Sequence, residues 1–325
     1  MRAFALLLAV VVAACADGGG TEHAPPPAGS NVATELPSTP GSTASQSVAA
    51  ASPSTASASA GVIGLPLKFE HDSLARPPGI PASGKHPVVL FLHGLGATGS
   101  GLVRSFDVPV LAQKLGFEFV APDGPKDQEG RRFWNTGHAC CDFDGANPPH
   151  VAMLGSLLDS FEKSGADSFD DVVVVGFSNG AFMAHRLACD LPRVTAIVAF
   201  AGAEPRDDDR PCHPEHPVRV IMIHGEADHT VPYAGGAVLG DPAHVIPSAW
   251  KGAADWALRN GCSDSKPKDV RLDLTKKLPG TETRIETFIG CKAGVELWSI
   301  ADADHLDVLD ADLLDAALTR VLAKP

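Results

Sequence analysis

The stretch Asp171-Val-Val-Val-Val-Gly-Phe-Ser-Asn-Gly-Ala-Phe-Met-Ala-His-Arg-Leu-Ala-Cys-Asp190 decides the fold. Its four consecutive valines, Val172 to Val175, show no polar alternation, the pattern of a strand buried on both faces of a parallel sheet. From Asn179 onward, Phe182, Met183, Leu187 and Ala188 recur at helical spacing. Between the two lies Gly176-Phe177-Ser178-Asn179-Gly180, a G-x-S-x-G in the strand–turn–helix setting that a nucleophile turn requires. Glycines two residues either side of Ser178 let strand and helix approach without a Cβ clash. The Ser178 hydroxyl is thereby raised at the carboxyl edge of the sheet, where open α/β folds bind ligands. A G-x-S-x-G on its own also arises as an ordinary Gly-Ser turn, and it is the two flanks that make Ser178 the candidate nucleophile.

Other segments take their places around this one. Residues 65–70 read as an opening strand and Val88–Leu92 as a second buried one, which runs into the glycine-rich turn 93–101. That turn has neither the Lys-Ser/Thr of a P-loop nor a G-x-G-x-x-G. Facing a serine nucleophile, its backbone N–H groups can instead stabilise an oxyanion. Leu95 is the candidate donor there, with Asn179 supplying the second N–H. His93 precedes the nucleophile, which is the wrong chain order for a catalytic base in this architecture, and it is read as structural. A helix over 102–115 leads to a strand over 117–121 and then to the irregular loop 131–141. Trp134 in that loop is the candidate substrate contact; it either lines the pocket or covers the core edge, and composition leaves both open.

Downstream, strands over 194–200 and 218–223 follow, and the second leads into His224-Gly225-Glu226-Ala227-Asp228. An acid a few residues past a strand and after the serine is where a triad acid belongs. Asp228 is the candidate, with Glu226 the near alternative. A helix over 248–259 closes at Asn260-Gly261, and strands follow over 284–289 and 295–300. Three histidines come after Asp228. His229 adjoins the acid and His244 lies in a Pro- and Gly-rich loop with no strand before it. His305 follows a strand, precedes an amphipathic helix over 306–322, and completes the order Ser, Asp, His.

The chain has 325 residues, 44% hydrophobic and 20% charged, a globular composition. Its amino terminus differs. An apolar run over 3–14 is too short to span a bilayer and fits a secretory signal. It ends in Val12-Ala13-Ala14-Cys15, which looks like a bacterial lipobox, so Cys15 is expected to carry lipid and residues 1–15 to form a lipoprotein signal. Residues 16–61, nearly all Ala, Ser, Thr, Pro and Gly, bury too little apolar surface to offset the entropy of ordering, and read as a tether. Residues 62–325 then form the catalytic domain, held at the cell envelope by a lipid anchor or secreted.

Setting Cys15 aside leaves six of the seven cysteines, and an even number in an exported chain suggests disulfides. Cys262 and Cys291 are expected to pair across the segment between the 248–259 helix and the 295–300 strand. The remaining four form two further bridges, with Cys140 and Cys141 each joined to Cys189 or Cys212. No C-x-x-C pair or His/Cys cluster has zinc spacing, so no metal or other cofactor is expected. A net charge of −13 argues against nucleic acid as a partner.

His93-Gly94, Asp123-Gly124, Trp134-Asn135 with Cys140-Cys141, the G-x-S-x-G, Leu187-Ala188-Cys189, His224 to Asp228 through Val231-Pro232-Tyr233, and Glu296-Leu297-Trp298 before His305 together follow one pattern. It resembles the polyhydroxybutyrate depolymerase/feruloyl esterase family of secreted α/β-hydrolases, lipoprotein members included, over about residues 62–305. The resemblance implies an α/β-hydrolase fold, a mostly parallel sheet with helices on both faces. It also implies a serine esterase with Ser178, Asp228 and His305 as triad. One departure stands out. Where the family shows Gly-His followed by Trp-Pro, this chain has Asp302-Ala303-Asp304-His305-Leu306-Asp307, and the added acids point to a neutral ester as substrate. A serine peptidase of the same fold and a non-catalytic binding module are the competing readings.

Overall fold

The structure, a computed structural model, describes residues 69, 73–80, 85–137, 140–163, 171–204 and 211–323. Cys15, the signal and the 16–61 tether lie outside the described residues. So does the expected 65–70 strand except Phe69, which is buried but belongs to no strand.

Eight strands form the main sheet: β1 (Val88–Leu92), β2 (Glu118–Val120), β3 (Val172–Phe177), β4 (Val194–Phe200), β5 (Arg219–Gly225), β8 (Asp264–Leu272), β9 (Thr283–Ile289) and β10 (Val295–Ile300). Their order is β2-β1-β3-β4-β5-β10-β9-β8. Pairing is parallel from β2 to β10 and antiparallel for β10–β9 and β9–β8. A short ladder, β6 (Gly236–Ala237) with β7 (Val245–Ile246), stands apart from it.

Alternate residues of each central strand feed opposite cores, because side chains along a strand point to opposite faces. Leu90, Leu92, Val172, Val174, Val220 and Met222 pack beneath α3 (His150–Lys163), α4 (Asn179–Asp190) and α5 (Ala249–Arg259). Val89, Phe91, Val173, Val175, Ile221 and Ile223 pack beneath α1 (Gly99–Ser105), α2 (Val108–Leu115) and α6 (Ala311–Leu322). Each such side chain contributes roughly 1.5–3 kcal/mol by leaving water. The valine run is buried on both faces as its sequence predicts, and the helices on both sides are those that the family resemblance implies.

Several boundaries differ from the sequence reading. The 102–115 helix is two helices, broken at Phe106 and at Asp107, whose φ of 50° is left-handed, with Pro109 opening α2. The last helix begins only at Ala311, where Asp310 accepts the N–H groups of Asp312 and Leu313 as N-cap, so residues 306–310 lie outside it, 306–308 as turn. Strand β8 and helix α3 were not anticipated.

Cys262 is joined to Cys291. The expectation that Cys140 and Cys141 each bridge to Cys189 or Cys212 fails. Cys189 closes on Cys212, and Cys140 closes on Cys141. The reason is distance along α4. Cys140 Sγ lies 3.9 Å from the side chain of Asn179, the first residue of that helix, whereas Cys189 is one residue from its end. At 1.5 Å per residue the two are separated by roughly 15 Å.

Candidate active site

The turn between β3 and α4 is built by close approach. A Cβ on Gly176 would strike the Gly180 carbonyl, and one on Gly180 would strike that of Leu92. Ser178 sits between them at φ 53°, ψ −122°, a conformation unfavourable for an L-residue and held by its surroundings. Its N–H donates to Phe200 O at 2.8 Å, which ties the turn to β4. The hydroxyl is left at the carboxyl edge of the sheet.

Two other strand ends converge on it. Asp228 follows β5 and His305 follows β10, and these strands are direct neighbours. His305 Nε2 stands 3.0 Å from Ser178 Oγ, and His305 Nδ1 stands 2.7 Å from Asp228 Oδ2. The carboxylate can only accept, so Nδ1 carries the proton and Nε2 is left free to accept from the serine hydroxyl. Phe177 backs the imidazole, with ring centroids 5.0 Å apart. Asp228 Oδ1 accepts the N–H groups of Thr230 (2.9 Å) and Val231 (2.8 Å). Burial of Asp228 opposes its ionisation, but hydrogen bonds from His224, His305 and Val231 outweigh this and hold its carboxyl below the usual carboxylate range.

His224 escaped the sequence reading. Its Nε2 donates to Val231 O at 2.8 Å and lies 3.3 Å from Asp228 Oδ2, wholly inside the protein. Its place at the end of β5, four residues before the acid, was the available signal. Glu226 turns away toward Arg284, at 3.9 Å. Neither remaining histidine joins the group. His229 has an 86% exposed side chain, and His244 bonds Asp241 at 3.0 Å.

The glycine-rich turn after β1 lies against the serine: a Cβ on Gly94 would be 3.2 Å from Ser178 Cβ. His93 holds the turn in place, donating from Nδ1 to Gly94 O (2.7 Å) and accepting the Gly124 N–H at Nε2 (2.9 Å). Burial keeps it neutral by lowering its pKa to about 4, against the pull of the Gly94 carbonyl and Asp123. Asp123 accepts Gly99 N–H at 2.7 Å, and Arg132 O accepts Gly96 N–H at 2.7 Å. The N–H groups of Leu95 and Asn179 have no acceptor among the described residues.

Trp134 requires a correction. It is completely buried, packed on Phe69, His93 and His150, with Nε1 donating to His93 O at 3.0 Å. No surface remains to meet a substrate, and the residue belongs to the core that supports the turn. Its main chain reaches the site instead, paired with the Asn179 side chain.

Among the described residues no group of three or more His, Cys, Asp or Glu could hold a metal ion, and no helix is long and apolar enough to cross a membrane. Two cavities, of about 440 and 570 Å³, share Val151 and Leu191 in their walls, and neither is lined by Ser178 or His305.

Strand order and the elbow serine define an α/β-hydrolase. Residues 80–243 match the phospholipase/carboxylesterase family, and the chain belongs to that family. Over 232 residues, 69% of this chain, it is 27% identical to NocK of Nocardia uniformis subsp. tsuyamanensis, a protein named as an esterase; the match spans 65% of that relative's length. Among solved structures it is similar to an acetyl xylan esterase from Aspergillus awamori (19% identity, TM-score 0.49, covering 71% of this chain and 87% of that one). A second is an S-formylglutathione hydrolase from Agrobacterium tumefaciens (16% identity, TM-score 0.49, covering 77% and 87%).

Proposed function

We propose that the protein is an exported serine esterase cleaving carboxylic esters through an acyl-enzyme. The observation that carries the reading is His305 standing between Ser178 at 3.0 Å and Asp228 at 2.7 Å. Ser178 Oγ attacks the acyl carbon while His305 Nε2 takes its proton. Asp228 fixes the imidazole tautomer and balances the imidazolium. The Leu95 and Asn179 N–H groups receive the oxyanion, and His305 then returns the proton to the departing alkoxide. Water, deprotonated by the same nitrogen, releases the acid and restores the serine. Family membership and the esterase relative support this chemistry.

The finer reading is a neutral ester of the kind cleaved by polyhydroxybutyrate depolymerases and feruloyl esterases. Asp302 and Asp304 are exposed either side of buried Ala303, immediately before His305, and their charge disfavours anionic acyl groups. Residues 62–325 are the catalytic part, carried on the 16–61 tether with Cys15 as lipid anchor. Cys15→Ser is expected to move the protein out of the membrane fraction, and retention there would remove the anchor from the proposal.

A substrate panel tests the whole: p-nitrophenyl esters of short neutral acids, feruloyl esters, hydroxyalkanoate oligomers and anionic isosteres, each against a Ser178→Ala control. Hydrolysis of neutral esters that vanishes in the control is expected. No hydrolysis of any ester, or faster turnover of the anionic isosteres, contradicts it.

A further inference from the structure

The two N–H groups assigned to the oxyanion come from segments far apart in the chain, after β1 and at the head of α4. One segment touches the Cys140–Cys141 disulfide, and the other packs on the apolar cluster that contains it. Cys140 Sγ lies 3.9 Å from Asn179 Nδ2. The two cysteines are buried in a small apolar cluster with Phe182, Val231, Val238 and Ile246, and Leu95 packs against that cluster. The Asn179 side chain also clasps the Trp134 main chain in both directions, accepting its N–H at 2.7 Å and donating to its carbonyl at 2.8 Å. Thr136 closes the same loop from the other end, its N–H (3.2 Å) and its hydroxyl both donating to Cys140 O.

We propose that the Cys140–Cys141 disulfide and the Asn179 side chain are positioning elements of the oxyanion hole, setting the Leu95 and Asn179 N–H groups against each other. The inference rests on the serine-esterase reading. The physical reason is the narrow tolerance of such a hole: donors stabilise the tetrahedral oxyanion only within a few tenths of an ångström, and losing one outright costs about 10²–10³-fold in rate. Leu95 has only apolar packing to hold its side, because its segment is pinned through the neighbours Gly94 and Gly96. Asn179 has its side-chain clasp and its contact with Cys140, and the apolar cluster built on the disulfide is the body that supports both sides. Both cysteines are buried, so the disulfide offers the ground-state ester little surface to bind.

The test uses the full chain carrying Cys140→Ala with Cys141→Ala, and separately Asn179→Ala, which keeps both the backbone N–H and the disulfide. Each is compared with wild type on p-nitrophenyl acetate. Affinity is also measured for a trifluoromethyl ketone, which Ser178 converts to a hemiketal oxyanion needing the same donors. For both variants kcat is expected to fall about 10–100-fold, KM to stay within about threefold, and ketone affinity to fall in step with kcat. A kcat within about threefold of wild type, or a fall in kcat with unchanged ketone affinity, overturns the inference. If the double variant does not fold, Asn179→Ala decides alone. A wild type that neither hydrolyses the ester nor binds the ketone would instead remove the esterase reading itself.

Discussion

The parallel part of the sheet and its antiparallel edge are held by different forces. In β1 and β3 every residue is buried, and alternate side chains enter two separate cores. At the edge, Asp269, Val270 and Arg271 of β8 are all exposed, and the strand is secured by its ladder to β9. Ser178, Asp228 and His305 all follow strands paired in parallel, β3, β5 and β10. The difference teaches where precision resides. A side chain at the end of a strand buried on both faces inherits the rigidity of two cores, and the edge can vary without moving it.

The largest expected effect follows from that placement. Asp228→Asn is expected to lower kcat by about 10⁴-fold, because the amide favours the wrong tautomer of His305. Val270→Thr at the edge is expected to leave steady-state kinetics on p-nitrophenyl acetate unchanged. Equal damage from both would erase the distinction.

Acid is expected to act next most strongly, between about pH 6.5 and 5 chiefly through histidines buried around the parallel part of the sheet. Burial lowers the pKa of His93 and His150 to about 4 and of His185 to about 3. Below the unfolded value of about 6.5 the unfolded chain takes up protons that the native state refuses. Stability is therefore full above about pH 6.5 and is lost as the pH falls toward 4. By pH 5 each histidine accounts for roughly 2 kcal/mol of the loss. Urea unfolding at pH 7 and pH 5 measures it; His185→Gln, removing one buried titrating group, is expected to flatten the dependence, and an unaltered slope would contradict the assignment.

Smaller still is the contrast between two valines. Val174→Ala in β3 is expected to cost about 2 kcal/mol through lost burial and a cavity. Val270→Ala in β8 is expected to stay within about 0.5 kcal/mol. Thermal unfolding of the two variants gives the difference, and similar costs would mean that the edge carries more packing than its exposure indicates.

The same contrast governs what the sequence discloses. Continuous apolar runs disclose β1 and β3, since two-sided burial leaves little room for polar residues, while β4, β5 and β10 are disclosed by mostly apolar stretches with one or two polar positions each. The glycines flanking Ser178 disclose the elbow, because only they permit its approach. β8 is hidden because an edge strand with charged side chains has no pattern to display. Helix α3 was legible in principle: Leu154, Leu157, Leu158 and Phe161 recur at helical spacing after Pro148-Pro149. The burial of Trp134 and the pairing of Cys140, Cys141, Cys189 and Cys212 were out of reach, since both depend on which end of α4 Trp134 and Cys140 meet, a long-range matter that local spacing does not encode. The Cys262–Cys291 pair was legible. Asn179 was read for its backbone alone, and its side-chain clasp on Trp134 appears only in three dimensions.

The role of the serine is decided by labelling. Wild type, His305→Ala and His229→Ala are exposed to a fluorophosphonate, the labelling rate is followed, and the adduct is located by peptide mass spectrometry. The adduct is expected on Ser178, forming at near wild-type rate in His229→Ala and slower by orders of magnitude in His305→Ala. An adduct on another residue, or wild-type labelling of His305→Ala, would mean that Ser178 and His305 do not work as nucleophile and base.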